Sequence, residues 1–169
     1  MLRIVLLIAA FLGLSASAFA APPSLFDGLF KKPAIGHASL STNSARRISG
    51  PVSITVDLTT QQMDVVAGGR TIYTFDVSTG RKGYTTPTGD YRPIRMHEMW
   101  YSSKYENSPM PHSIFFYGGY AIHGTGDIKH LGQVASHGCV RLHPDNAQAL
   151  YDLVRQVGMD KTRIKLIRS

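Results

Sequence analysis

Only one cysteine, Cys139, occurs in the 169 residues, which excludes an intrachain disulfide and leaves the thiol to be explained by chemistry or by packing. No stretch reaches the roughly 20 consecutive apolar residues that a membrane-spanning helix needs. A glycine-rich phosphate loop, an RNA-binding signature, paired C-x-x-C spacing and H-E-x-x-H spacing are all missing, so nucleotide, RNA and the commonest zinc chemistries lack their sequence signals. Acid is scarce, with 11 Asp and Glu against 18 Lys and Arg and a formal net charge of +7. Such a surface suits an anionic partner; for an exported chain this means cell-wall polymer or lipid headgroups rather than nucleic acid. A moderate net charge also serves plain solubility.

What is present begins with Arg3, an apolar stretch from Ile4 to Leu14, and the small-residue end Ala16-Ser17-Ala18-Phe19-Ala20. This is the pattern of a cleavable secretory signal over residues 1–20, cut after Ala20, and it predicts a soluble periplasmic product with no transmembrane segment in the mature chain. Residues 21–50 carry prolines, small residues and the basic pairs Lys31-Lys32 and Arg46-Arg47 without sustained periodicity, and read as a flexible linker.

The folded domain is expected over residues 51–168. Val52, Ile54, Val56 and Leu58 alternate with polar residues in the period of a half-buried strand. Residues 63–67 and 70–77 flank Gly68-Gly69, a pair suited to the positive φ angles of a tight hairpin turn. Thr86-Pro87-Thr88-Gly89 has turn composition, and residues 90–96, 113–117 and 120–123 read as strands. Between them, residues 97–112 read as a long irregular segment with Trp100 and Tyr105, expected to act as a lid or to pack as a loop. Pro144, Asp145 and the spacing of Ala147, Leu150, Val154 and Val157, ended by Gly158, predict one helix. Residues 162–167 read as a last strand, giving a mostly β domain with a single C-terminal helix.

Cys139 lies in Ser136-His137-Gly138-Cys139-Val140-Arg141, sixteen residues after His123. A thiol attacks as thiolate, and a histidine can take its proton or stabilise the anion as imidazolium. Sequence distance requires the fold to bring the two together, with the sulfur exposed and deprotonated within proton-transfer reach. If residues 137–143 are extended, the two-residue period places His137, Cys139, Arg141 and His143 on one face and Val140 and Leu142 on the other. The N–H groups near Gly138 and Cys139 are then candidates for an oxyanion site, and Arg141 for a fixed cation facing a carboxylate. Two other readings stay open. His123, His130, His137, Cys139 and His143 contain enough N and S donors for a zinc-binding module, and a buried inert cysteine would fit a non-catalytic wall-binding module.

His123-Gly124, then, twelve positions after Gly124, Ser136 to Leu142, together with Thr86-Pro87-Thr88-Gly89, resembles the signature of the L,D-transpeptidase catalytic domain, the YkuD-like family, over roughly residues 51–168. The resemblance implies a β-sandwich of two mixed sheets, with Cys139 as nucleophile and His123 as general base and acid. It implies that the Gly124 carbonyl orients His123 and that His137 binds substrate or shapes the oxyanion site, with Arg141 matching one branch of the family. The implied reaction is attack on the meso-diaminopimelate carbonyl of a peptidoglycan tetrapeptide stem, with release of D-alanine and formation of a thioester. An amine of a second stem would then give a cross-link, an outer-membrane protein would become tethered, and water would give an L,D-carboxypeptidase. A monomer without cofactor or metal, serving cell-wall organisation and cell shape and sensitive to carbapenems, is expected.

Overall fold

The computed structural model describes residues 50–169; the expected signal and linker lie outside the described residues, apart from Gly50. Among the described residues nine strands form two sheets. The first has the order β3-β2-β1-β9-β4, built from β1 (Val52–Asp57), β2 (Gln62–Ala67), β3 (Arg70–Asp76), β4 (Gly89–Tyr91) and β9 (Thr162–Ile167). The second has the order β5-β6-β7-β8, from β5 (Arg95–Ser102), β6 (Ser108–Tyr117), β7 (Tyr120–Gly124) and β8 (Val140–Leu142). Each sheet is mixed, because β1 runs parallel to β9 and β7 parallel to β8 while the other pairs are antiparallel.

Alternation sets which side of each sheet is dry. Val52, Ile54 and Val56 of β1, Met63 and Val65 of β2 and Ile164 and Leu166 of β9 share one core with Ile114, Ile122, Val140 and Leu142 of the second sheet. Full burial of such a side chain contributes about 1.5–3 kcal/mol. The helix α1 (Pro144–Val157) adds Ala147, Leu150, Leu153 and Val154 to the same core. It starts with Pro144 in its first turn, His143 Nδ1 accepting from the Asp145 N–H, and stops at Gly158 with φ +102°. The Gly68-Gly69 hairpin forms as expected, with φ of 58° and 76°.

Three local expectations change. The strand expected over residues 90–96 is two strands in different sheets, β4 and β5, separated by Arg92-Pro93-Ile94; proline cannot donate to a ladder and marks the crossing. The segment expected to be irregular, residues 97–112, is a long hairpin of β5 and β6 with its turn at residues 103–107. Pro109 and Pro111 fit inside it because they sit two residues apart, on the stretch of β6 that β7 does not reach. Only Val140–Leu142 of residues 137–143 is strand, since Gly138 at φ +111° bends the chain ahead of it.

Candidate active site

The parallel register of β7 on β8 sets His123 opposite Arg141, with Cys139 at the bend that leads into β8. His123, His137, Cys139 and Arg141 all line one cleft of about 580 Å³, which the β5–β6 hairpin walls with Trp100, Lys104 and Tyr105. Val140 and Leu142 point the other way, into the core. His143 leaves the set and caps α1, because the chain turns into the helix immediately after β8.

His123 is 6% exposed. Its Nδ1 lies 2.8 Å from the Gly124 carbonyl, which can only accept, so Nδ1 carries the hydrogen and Nε2 is left with a lone pair. Burial pushes its pKa down to about 4, against the opposing effect of the Gly124 bond, and the Arg141 charge lowers it further. Cys139 is half-buried, with Sγ 3.9 Å from the Gly119 carbonyl. Burial pushes the thiol pKa up, outweighing an Ala121 backbone hydrogen bond and the charge of Arg141. The exposed, deprotonated sulfur expected from the sequence is therefore a sheltered neutral thiol, since removing the anion from water costs more than the local charges return.

A set of hydrogen bonds holds the bend. The buried Ser136 hydroxyl donates to the Cys139 carbonyl at 2.6 Å and accepts from the Gly138 N–H at 3.0 Å. The Gly138 N–H expected to face an oxyanion is thus already engaged. Thr86 Oγ1 donates to the Gly138 carbonyl and accepts from the Gly80 N–H, both at 2.8 Å. A side chain on Gly138 would meet the Tyr120 ring at 2.7 Å, which explains glycine there as much as its φ does. Behind the bend, Gln61 bonds the Thr79 N–H, and the Thr79 carbonyl accepts from the N–H groups of Ala135 and Ser136.

His137 is held from three sides. Arg81 Nη2 donates to its Nε2 at 2.6 Å, Tyr105 stacks on it and Tyr84 meets it edge-on, both at 4.5 Å between ring centres. Partial burial and the charges of Arg81, Arg141 and Lys104 lower its pKa. Arg141 reaches Asp127 at 3.6 Å, and His130 Nδ1 contacts both Asp127 oxygens at 2.8 Å. His130 thereby holds Asp127 below the usual carboxylate range. The five residues of the zinc reading do not converge: among the described residues no three His, Cys, Asp or Glu are grouped to hold a metal ion.

Sequence reasoning missed Asp127, Arg81 and the holding roles of Ser136 and Thr86. The last two sit in the Ser136-to-Leu142 and Thr86-to-Gly89 motifs, where a buried hydroxyl at a bend is a recognisable signal. Asp127 and Arg81 are brought in by the fold alone.

The sequence model of the L,D-transpeptidase catalytic domain, YkuD, matches residues 51–165. Among curated proteins none matches this chain. Of the similar solved structures, an L,D-transpeptidase from Xylanimonas cellulosilytica is 31% identical with TM-score 0.60, covering 72% of this chain and 62% of its own. One from Stackebrandtia nassauensis is 29% identical with TM-score 0.62, covering 69% and 55%. L,D-transpeptidase 3 from Mycobacterium tuberculosis, solved with a faropenem-derived adduct, is 17% identical with TM-score 0.61, covering 71% and 61%, a likeness of fold alone. This chain thus spans 55–62% of the length of these three structures.

Proposed function

Since the chain belongs to the L,D-transpeptidase catalytic domain family, we propose that it is a peptidoglycan L,D-transpeptidase working through Cys139 and His123. The observation that carries this reading is their shared cleft, with the imidazole kept neutral by burial and its Nε2 lone pair left free because Nδ1 bonds the Gly124 carbonyl. Cys139 Sγ attacks the meso-diaminopimelate carbonyl of a tetrapeptide stem while its proton passes to His123 Nε2. The C–N bond to D-alanine breaks, the imidazolium protonates the departing amine, and a thioester remains. An incoming amine then loses its proton to His123, attacks the thioester carbon and releases the thiol, which recovers the proton.

Neutral partners suit this sequence of events: charge develops only as the bond forms. The Cys139 N–H, set in the same bend, is the proposed donor to the oxyanion in place of Gly138. Arg141 is the proposed anchor for a stem carboxylate, with Asp127 holding its guanidinium when the cleft is empty, and His137 is the proposed contact for the stem peptide. The N-terminal pattern of residues 1–20 supports action in the periplasm.

Purified protein incubated with disaccharide tetrapeptide should give cross-linked dimers by mass spectrometry, and Cys139→Ala should give none while melting at an unchanged temperature. Tripeptide alone would instead identify a carboxypeptidase, and dimers from the Cys139→Ala chain would overturn the assignment. A carbapenem should add its mass to the wild type and not to Cys139→Ala.

A further inference from the structure

The Tyr117-Gly118-Gly119-Tyr120 turn places an aromatic row beside the sulfur, because the Gly119 carbonyl is the atom 3.9 Å from Cys139 Sγ. Tyr120 backs Gly138. From there the rings run outward: Tyr120 to Tyr117 at 6.1 Å in parallel planes, Tyr117 to Tyr91 at 5.6 Å and Tyr91 to Phe116 at 5.2 Å. Tyr117 is 55% exposed, with no core role that would account for a large ring at that position.

The row ends at a second cleft of about 680 Å³, lined by Tyr91, Phe116, Ile94, Arg92, Arg163 and Lys165 among others. Arg163 and Lys165 point to solvent because they alternate with the buried Ile164 and Leu166 along β9. Among the described residues neither forms a salt bridge. The one carboxylate lining this cleft is Asp90, the register partner of Lys165.

Flat rings offer apolar faces to the C–H faces of sugar rings, and clustered cations attract carboxylates. A ligand matching both, in that order away from the thiol, is a saccharide strand carrying acidic peptides. We propose that Tyr120, Tyr117 and Tyr91, continued by Arg92, Arg163 and Lys165, form an accessory track that binds the glycan strand and a neighbouring acidic stem of the same polymer whose stem is acylated at Cys139. This rests on the reading of the chain as a peptidoglycan enzyme, and it supplies a means of holding polymer within the catalytic domain itself.

Co-sedimentation of the full chain with insoluble peptidoglycan sacculi, in a Cys139→Ala background that prevents turnover, tests it. Tyr117→Ala and, separately, Arg163→Glu with Lys165→Glu should each weaken sacculus binding by about fivefold or more. In the active chain the Arg163→Glu, Lys165→Glu pair should raise KM on sacculi to a similar degree and leave kcat/KM on soluble disaccharide tetrapeptide within about twofold. Unchanged sacculus binding by both variants, an equal loss on the soluble substrate, or retention on anionic phospholipid vesicles and not on sacculi would each overturn the track. A chain that sediments through these residues yet converts no tetrapeptide would support the track and overturn the proposed reaction.

Discussion

Burial decides the charge of both His123 and Cys139. With a pKa of about 4 against an ordinary 6.5, His123 is neutral in the folded chain across the range in which an unfolded histidine gains its proton. The unfolded state therefore binds the proton first as pH falls, so stability drops on acidification between pH 6.5 and 4. This one group should account for about 3 kcal/mol of that loss, with stability fully present above the upper value. Urea titrations across the window should give a flatter pH dependence for His123→Gln than for the wild type; parallel curves would contradict a buried neutral imidazole. At Cys139 the raised thiol pKa predicts slow alkylation by iodoacetamide at neutral pH, accelerating only above the range of free cysteine. Ser136→Ala removes the group that satisfies both the Gly138 N–H and the Cys139 carbonyl. It should lower stability by about 1–3 kcal/mol and lower kcat on the order of 100-fold, since a loosened bend misplaces the sulfur.

Elements whose rules are local were legible in the sequence. The Gly68-Gly69 hairpin, the alternation of β1 and the Pro144 to Gly158 span of α1 each depend on residues adjacent in the chain. The β5–β6 hairpin did not show itself, because Pro109 and Pro111 are tolerated only by virtue of an edge left open by the length of β7, a fact of tertiary structure. The site divides the same way: the Cys139, His137 and Gly138 run is contiguous and readable, whereas Arg81 and Asp127 arrive from separate loops. Nor was the engagement of the Gly138 N–H readable, since a serine two residues earlier bonds it only when the backbone folds back. Gly138→Ala tests that geometry at the level of the bend. A methyl group 2.7 Å from the Tyr120 ring, on a backbone at φ +111°, should cost about 1–3 kcal/mol and abolish acylation, measured by melting temperature and by carbapenem adduct mass.

Across the described residues, both clefts depend on the order in which strands are inserted. β9 is last in sequence yet lies between β1 and β4 in the first sheet. A chain ending at Lys161 would lose Ile164 and Leu166 from the core and leave two ladders unpaired. Against a typical total of about 5–15 kcal/mol, that loss should eliminate cooperative thermal unfolding, as calorimetry would register. The same insertion governs timing. A polypeptide produced from its N-terminus cannot seat β4 until β9 has been synthesised and placed beside β1, so native assembly begins late and depends on contacts distant along the chain. The cleft that holds Cys139 and His123 rests on that sheet through one shared core, so its final shape waits on residues 162–167 being in place.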